Sequence, residues 1–159
     1  MMKVLYQMDI AGEEDPENAA HYLKQAAHLN EQEEYAKTLY SLYCTEREKA
    51  DEQISAFSRR WSVRRMAKTD LAILRLATFE MLFYEACPVS VAINEAVDLA
   101  KAFGGEDDSP RFINGVLGRI ADRYAELDDS VEEEAEDAAE AESEVSPEAE
   151  SEASAEANA

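Results

Sequence analysis

The sequence predicts an all-α fold, on three observations. Helical apolar patterns follow one another without interruption through Met66–Arg123, at Thr69–Tyr84, Val89–Phe103 and Pro110–Arg123. The first, TDLAILRLATFEMLFY, is apolar around so much of its circumference that other helices must surround it. A long stretch before it, Glu31 to about Arg60, carries Tyr35, Leu39, Leu42, Tyr43, Ala50, Ile54, Phe57 and Trp61 at steps of three, four and seven, one face of a further helix.

The elements follow in order. Met1–Ile10 has helical spacing at Val4, Leu5 and Met8. Asp15 is a fitting N-cap with Pro16 at the first helical position, opening a helix to about Leu29. His21 and His28 on that helix are two turns apart, about 10 Å along the axis, too far for one metal ion. Asn30 with Glu33 makes a capping box before the long helix. Its aromatic stripe, Tyr35, Tyr40, Tyr43 and Phe57, reads as core, and Glu46–Glu52 as a solvated face with pairs four residues apart. Within the central helix, Arg75 and Glu80 would be costly to bury unless paired, and the sequence suggests an internal pair between them. Pro88 separates the next two helices. Val89, Ile93, Ala96, Val97 and Ala100 form the buried stripe of the second, and Gly104-Gly105 ends it as C-terminal glycines do. Asp108 or Ser109 caps the last helix, with Pro110 at its first position. There Gly115, Gly118 and Ala121 offer a small-residue face to another helix or a ligand backbone.

Charge divides the chain. The 159 residues carry a formal net charge of −21, yet from Glu126 onward there are 15 acids and no base. That leaves 21 acids against 15 bases before it, so the folded part, 1–126, is only mildly acidic. The remainder, 127–159, is rich in Glu, Ala and Ser, has few large apolar groups and is expected to be disordered, with transient helicity open to its Ala and Glu. Such a tail either solubilises the protein or competes with nucleic acid for its basic surface. Cys44 and Cys87 fit no metal or redox spacing and read as small packing residues in a reducing cytoplasm. No apolar run reaches the ~18–20 residues of a membrane helix.

Arg59, Arg60, Arg64, Arg65 and Lys68 form the basic cluster of the chain, with no acid between Gln53 and Thr69. Two readings stand: bases complementing the dipole at a helix C-terminus, or a phosphate-contacting patch. No glycine-rich phosphate loop, Cys/His ligand set or nucleophile beside a base is present, so neither enzyme activity nor a cofactor is expected.

KTDLAILRLATFEMLF, CPVSVAINEAVDLAKAFG and SPRFINGVLGRIAD, together with VLYQMDI near the start, closely resemble the NusB family of transcription antitermination factors over roughly residues 3–126. The resemblance implies a compact bundle of about seven helices. It also implies binding to single-stranded boxA-type RNA of nascent ribosomal transcripts, jointly with the small-subunit ribosomal protein NusE, in the antitermination complex of RNA polymerase. By motif, Tyr6 and Phe112 match family positions at the RNA surface, with Lys3 and Arg111 as adjacent cations. Asp108 matches the acid of an RNA- and partner-facing loop, which is one residue longer here, so Asp107 competes for that match. Asp70 matches an acid that contacts NusE, and some relatives form homodimers when free. An arginine-rich segment precedes the first helix in the family, whereas Lys3 is the one lysine or arginine before Lys24 here. Either the segment has been lost or the sequence begins short. Two rivals follow: a helical adaptor that binds NusE without RNA, and the RNA-binding module of an RNA methyltransferase, which would need a cofactor domain after it.

Overall fold

In the computed structural model, residues 1–11, 23, 33–59 and 61–143 are described, with side chains followed to residue 126. Among them are five helices: α1 (Met2–Ala11), α2 (Glu33–Phe57), α3 (Lys68–Phe83), α4 (Val89–Phe103) and α5 (Ser109–Ser143). A short 3-10 turn, Val63–Arg65, lies between α2 and α3. The predicted Asp15–Leu29 helix and its histidines fall outside the described residues apart from Leu23. The chain divides into two compact units, Met1–Tyr124 and Ala125–Ala159.

The central helix is α3. Every residue from Asp70 to Met81 is buried, and α1, α2 and α4 pack against it. Phe79, Ile73 and Leu74 are fully enclosed, joined by Leu5 and Met8 of α1, Leu39 and Ile54 of α2 and Ile113, Leu117 and Ile120 of α5. Such a helix cannot be amphipathic, because partners meet it on all sides. On α4 the buried residues are Ala92, Ala96 and Ala100, a stripe at steps of four, whereas Val89 and Ile93 of the expected stripe are only partly covered. Small side chains on that line let α4 approach α3 closely.

Several expectations are corrected. The predicted Arg75–Glu80 pair does not form. Five residues turn a helix through roughly 140° beyond a full circle, so the two side chains leave α3 on different faces. Arg75 instead donates from Nε and Nη2 to the two Asp51 carboxylate oxygens, both at 2.7 Å, and from Nη1 to Asp9 at 2.9 Å. Burial opposes the charge on Arg75, but the bonds to Asp51 and then Asp9 outweigh it, and its pKa is raised. One guanidinium therefore ties α3 to both α1 and α2. Glu80 accepts a hydrogen bond from the Tyr35 hydroxyl. The surface pair near Glu46 has a three-residue step, Lys49 to Glu46 at 2.7 Å. Cys44 is exposed, not packed, and Cys87 is half-buried.

Gly104 has φ −55°, an ordinary value for any residue. Its need for glycine is steric: a Cβ there would lie 2.4 Å from the Ala100 carbonyl oxygen and 2.6 Å from Ser109 Cβ. Around Gly115 and Gly118 a Cβ would meet nothing within 4 Å, so none of the described helices packs closely on that small-residue face. The last helix continues twenty residues past its expected end at Arg123, through Ser143. The helix thus enters the stretch from 127 in which disorder with transient helicity is expected, and runs as far as Ser143. Glu and Ala rank among the better helix formers, and no Gly or Pro interrupts the chain between Gly118 and Pro147.

Burial raises the pKa of the Glu80 carboxyl, with Glu95 adding to it, against the Tyr35 hydrogen bond that lowers it. The protonated form therefore favours the fold. That contribution is complete below the unfolded carboxylate value of about 4.3 and lost as pH rises through the raised folded value. Replacing Glu80 with glutamine keeps an acceptor for Tyr35 and removes the buried charge. Urea unfolding across a pH series should show Glu80→Gln equal to or more stable than the parent at neutral pH, the gap widening from pH ~4 upward. Tyr35→Phe should cost about 1.5 kcal/mol or more, the scale of a hydrogen bond to a charged group. A destabilised Glu80→Gln would contradict the assignment.

Candidate nucleic-acid interface

A groove of about 900 Å³ lies between the α2–α3 connection and the start of α5. Its construction begins where α2 ends. Phe57 is the last helical residue, and Ser58 follows, buried, with its N–H donating to Ile54 at 2.9 Å. The Ser58 hydroxyl donates to the Trp61 carbonyl at 2.8 Å, while the Trp61 N–H donates to the Ser58 carbonyl at 3.0 Å. These bonds turn the chain tightly. Trp61, expected in the core as the last apolar step of α2, consequently leaves the helical stripe and is 48% exposed. Arg119 on α5 donates to the Phe57 carbonyl at 3.2 Å and joins the two walls.

The opposite rim depends on Asp70. It is buried in the first turn of α3 and accepts from the Gly105 N–H at 3.0 Å and from the Ser109 hydroxyl at 2.8 Å. The Ser109 oxygen in turn accepts from the Glu106 N–H at 3.0 Å. Both Asp70 oxygens are engaged internally, fixing the loop 104–108, whose Glu106, Asp107 and Asp108 side chains are exposed. At Gly105 a Cβ would lie 2.5 Å from Ala67 Cβ, so the loop sits directly against the start of α3. Ser109 is spent on this network and is the first residue of α5; the Phe112 N–H bonds to the Asp108 carbonyl at 3.0 Å.

The expected site residues separate into groups. Arg111, Phe112 and Asp108 line the groove, and so do Arg59 and Arg65 of the basic cluster. Arg111, Arg59 and Arg65 are exposed and Phe112 is half-buried. Arg64 is exposed on the 3-10 turn and is not part of the lining. Lys68 pairs with Asp9 at 2.7 Å, and Arg60 lies outside the described residues. α2 ends at Phe57 with no base in its last turn, so Arg59 stands just beyond its C-terminus, while Arg64 and Arg65 lie in the 3-10 turn. Lys3 and Tyr6 are on α1: the Lys3 ammonium sits 5.1 Å from the Phe103 ring centre, and Tyr6 packs half-buried at the edge of the core. Neither lines the groove.

Sequence reasoning passed over Trp61 as an exposed ring and Arg119 altogether. The signal for Arg119 was available: Arg111, Gly115 and Arg119 follow one another at steps of four along one helix face. For Trp61 the signal was hidden, because its spacing suits a helix that stops four residues earlier. Among the described residues no group of three or more His, Cys, Asp or Glu could hold a metal ion, and no helix is long and apolar enough to cross a membrane.

A helical bundle with guanidinium groups and rings around one groove has the chemistry of a polyanion-binding protein. Residues 1–122 match the model of the NusB family. Transcription antitermination protein NusB from Bacillus cereus (strain B4264) is 43% identical over 124 residues, covering 76% of this chain and 91% of that protein. The protein of the same name from Pelotomaculum thermopropionicum is 38% identical over 122 residues, 76% of this chain and 83% of its own. T. maritima NusB superposes with a TM-score of 0.69 at 32% identity, over 76% of this chain and 84% of that one. A chain from the "Crystal Structure of a Plectonemic RNA Supercoil" gives 0.69 at 28% identity, over 78% and 90%. The chain belongs to the NusB family, and so to the transcription antitermination factors.

Proposed function

We propose that this protein binds boxA-type single-stranded RNA of nascent ribosomal transcripts together with NusE, and thereby promotes processive transcription by RNA polymerase. One observation carries the reading. The fold joins two sets of residues that are unrelated in sequence: Arg111, Phe112 and Asp108, singled out by resemblance, and Arg59 and Arg65, singled out by charge. They line one groove. Unpaired RNA calls for rings that accept bases and cations that meet phosphates, and both are present. That a relative of the same fold occurs in a structure of an RNA supercoil supports the choice of RNA. Lys3 and Tyr6 on α1 extend the proposed RNA surface beyond the groove. In this reading Asp70 serves NusE through the loop it holds, whose exposed acids suit a basic ribosomal protein.

The test is a titration with boxA RNA, with and without NusE. RNA affinity that strengthens with NusE is expected, whereas NusE binding without any RNA binding would favour a protein–protein adaptor. The double variant Arg59→Gln/Arg65→Gln should bind RNA more weakly and shallow the slope of log affinity against log salt by about 1.4, at about 0.7 per phosphate contact on a single strand. An unchanged slope would remove these two arginines from the interface.

A further inference from the structure

We infer that Trp61 is a base-stacking platform and Arg119 a phosphate contact, so that a single RNA strand continues from Phe112 across the groove onto the α2–α3 connection; this rests on the RNA-binding reading above. Five large apolar side chains are exposed among the described residues: Ile10, Trp61, Val91, Phe103 and Tyr124. Trp61 alone of them lines the groove. Its backbone is pinned at both polar atoms by Ser58, itself buried, so the ring stands on a fixed base while 48% of the residue remains in solvent. Ordering a base on that ring costs little of the pedestal's own entropy, since the turn is already closed.

The surroundings favour a nucleic-acid strand. Arg59, Arg65, Arg111 and Arg119 border the same groove. Against them stand the exposed carboxylates Glu106 and Asp108, while Asp70 is committed to Gly105 and Ser109. Arg119 uses Nη1 on the Phe57 carbonyl, and a guanidinium has donors beyond that one. On the α5 wall of the groove the Gly115 position is open, since a Cβ there would meet nothing within 4 Å, so a strand backbone can lie close to the helix. An aromatic face accepts any base, so Trp61 should add affinity with little sequence preference.

Trp61 is the one tryptophan of the chain, which makes it its own reporter. The full-length protein would be titrated with a boxA RNA oligonucleotide and with an oligouridine of equal length, following tryptophan emission and, separately, the anisotropy of dye-labelled RNA, each with and without NusE. Emission should change saturably with the same midpoint as anisotropy. Trp61→Ala should weaken binding about ten-fold, by a similar factor for both RNAs, while Trp61→Phe stays within a few-fold of the parent. Arg119→Gln should lower the salt slope, and circular dichroism of each variant should match the parent. RNA binding with unmoved emission and an unaffected Trp61→Ala would overturn this inference and leave the proposed function standing. Emission that responds to NusE alone and never to RNA would make the groove a protein-docking surface and likewise overturn it. Failure of both RNAs to bind, with and without NusE, would overturn the proposed function along with it.

Discussion

Replacing Arg75 with methionine is expected to lower the free energy of unfolding by about 3–5 kcal/mol, the cost of breaking a buried ion network by removing one member. The side chain is almost wholly enclosed, and its three bonds of 2.7–2.9 Å reach Asp51 on α2 and Asp9 on α1. Without it, Asp51 loses the partner for both oxygens, whereas Asp9 keeps Lys68 at 2.7 Å. A small domain is stable by only about 5–15 kcal/mol, so the variant should unfold at markedly lower urea. Changing Asp9 and Asp51 to asparagine in the same background should recover much of the loss, because the uncompensated charges go with them. The acid response should change too. Burial alone would raise the Asp9 pKa, but its bonds to Lys68 and then Arg75 outweigh burial and lower it. That contribution is present above the unfolded value of about 3.9 and is lost as pH falls through the lowered folded value. Arg75→Met should therefore weaken the acid sensitivity of the parent as well as its stability. A loss under 1 kcal/mol in urea melts would show that the network is energetically neutral.

Asp70→Ala should cost about 2–4 kcal/mol and impair RNA binding through the loop 104–108, because Asp70, buried in the groove wall, spends both carboxylate oxygens on Gly105 and Ser109. The substitution leaves the part-buried Gly105 N–H and the buried Ser109 hydroxyl without their charged acceptor, and a hydrogen bond to a charged group is worth about 1.5–3 kcal/mol. It also frees the Ser109 oxygen, which orders the Glu106 amide. The loop 104–108 and the first turn of α5 would then lose the anchor that sets Arg111 and Phe112 against the opposite wall. Asp70→Asn should fall between the two, since an amide retains one acceptor but faces the other partner with a donor. Urea melts give the stability change. Titration of boxA RNA and of NusE under conditions where the variant is still folded gives the functional one. If Asp70→Ala keeps parental stability yet loses NusE alone, Asp70 meets the partner directly and the loop-holding role is wrong.

What could be read from residues alone was local. The apolar density of Thr69–Tyr84 is enough to require a helix enclosed by others, and Asp70–Met81 is buried throughout. Pro88 and Gly104-Gly105 mark the ends of α4 because proline and glycine act within a turn or two of where they stand. The charge step near Glu126 and the arginines after Phe57 need only counting. The errors arose where a local pattern met a distant contact. Arg75 and Glu80 share one helix, but their partners come from α1 and α2. Trp61 is a separate case: it has the right spacing for α2, but α2 ends at Phe57 and a local turn closed by Ser58 carries it off the helical stripe.

The positions of α1 to α4, the start of α5, the enclosed core helix and family membership were thus legible in the sequence itself, since propensity, periodicity and motif spacing act over a few residues. Only the tertiary structure decided that Arg59 and Arg65 share a groove with Arg111, Phe112 and Arg119, and that Asp70, buried in its wall, holds the loop 104–108. The bonds that fix those juxtapositions join residues 35 to 62 positions apart in the chain. They follow from how α5 and the α2–α3 connection settle around a common apolar core, a packing free energy to which no short stretch of sequence corresponds.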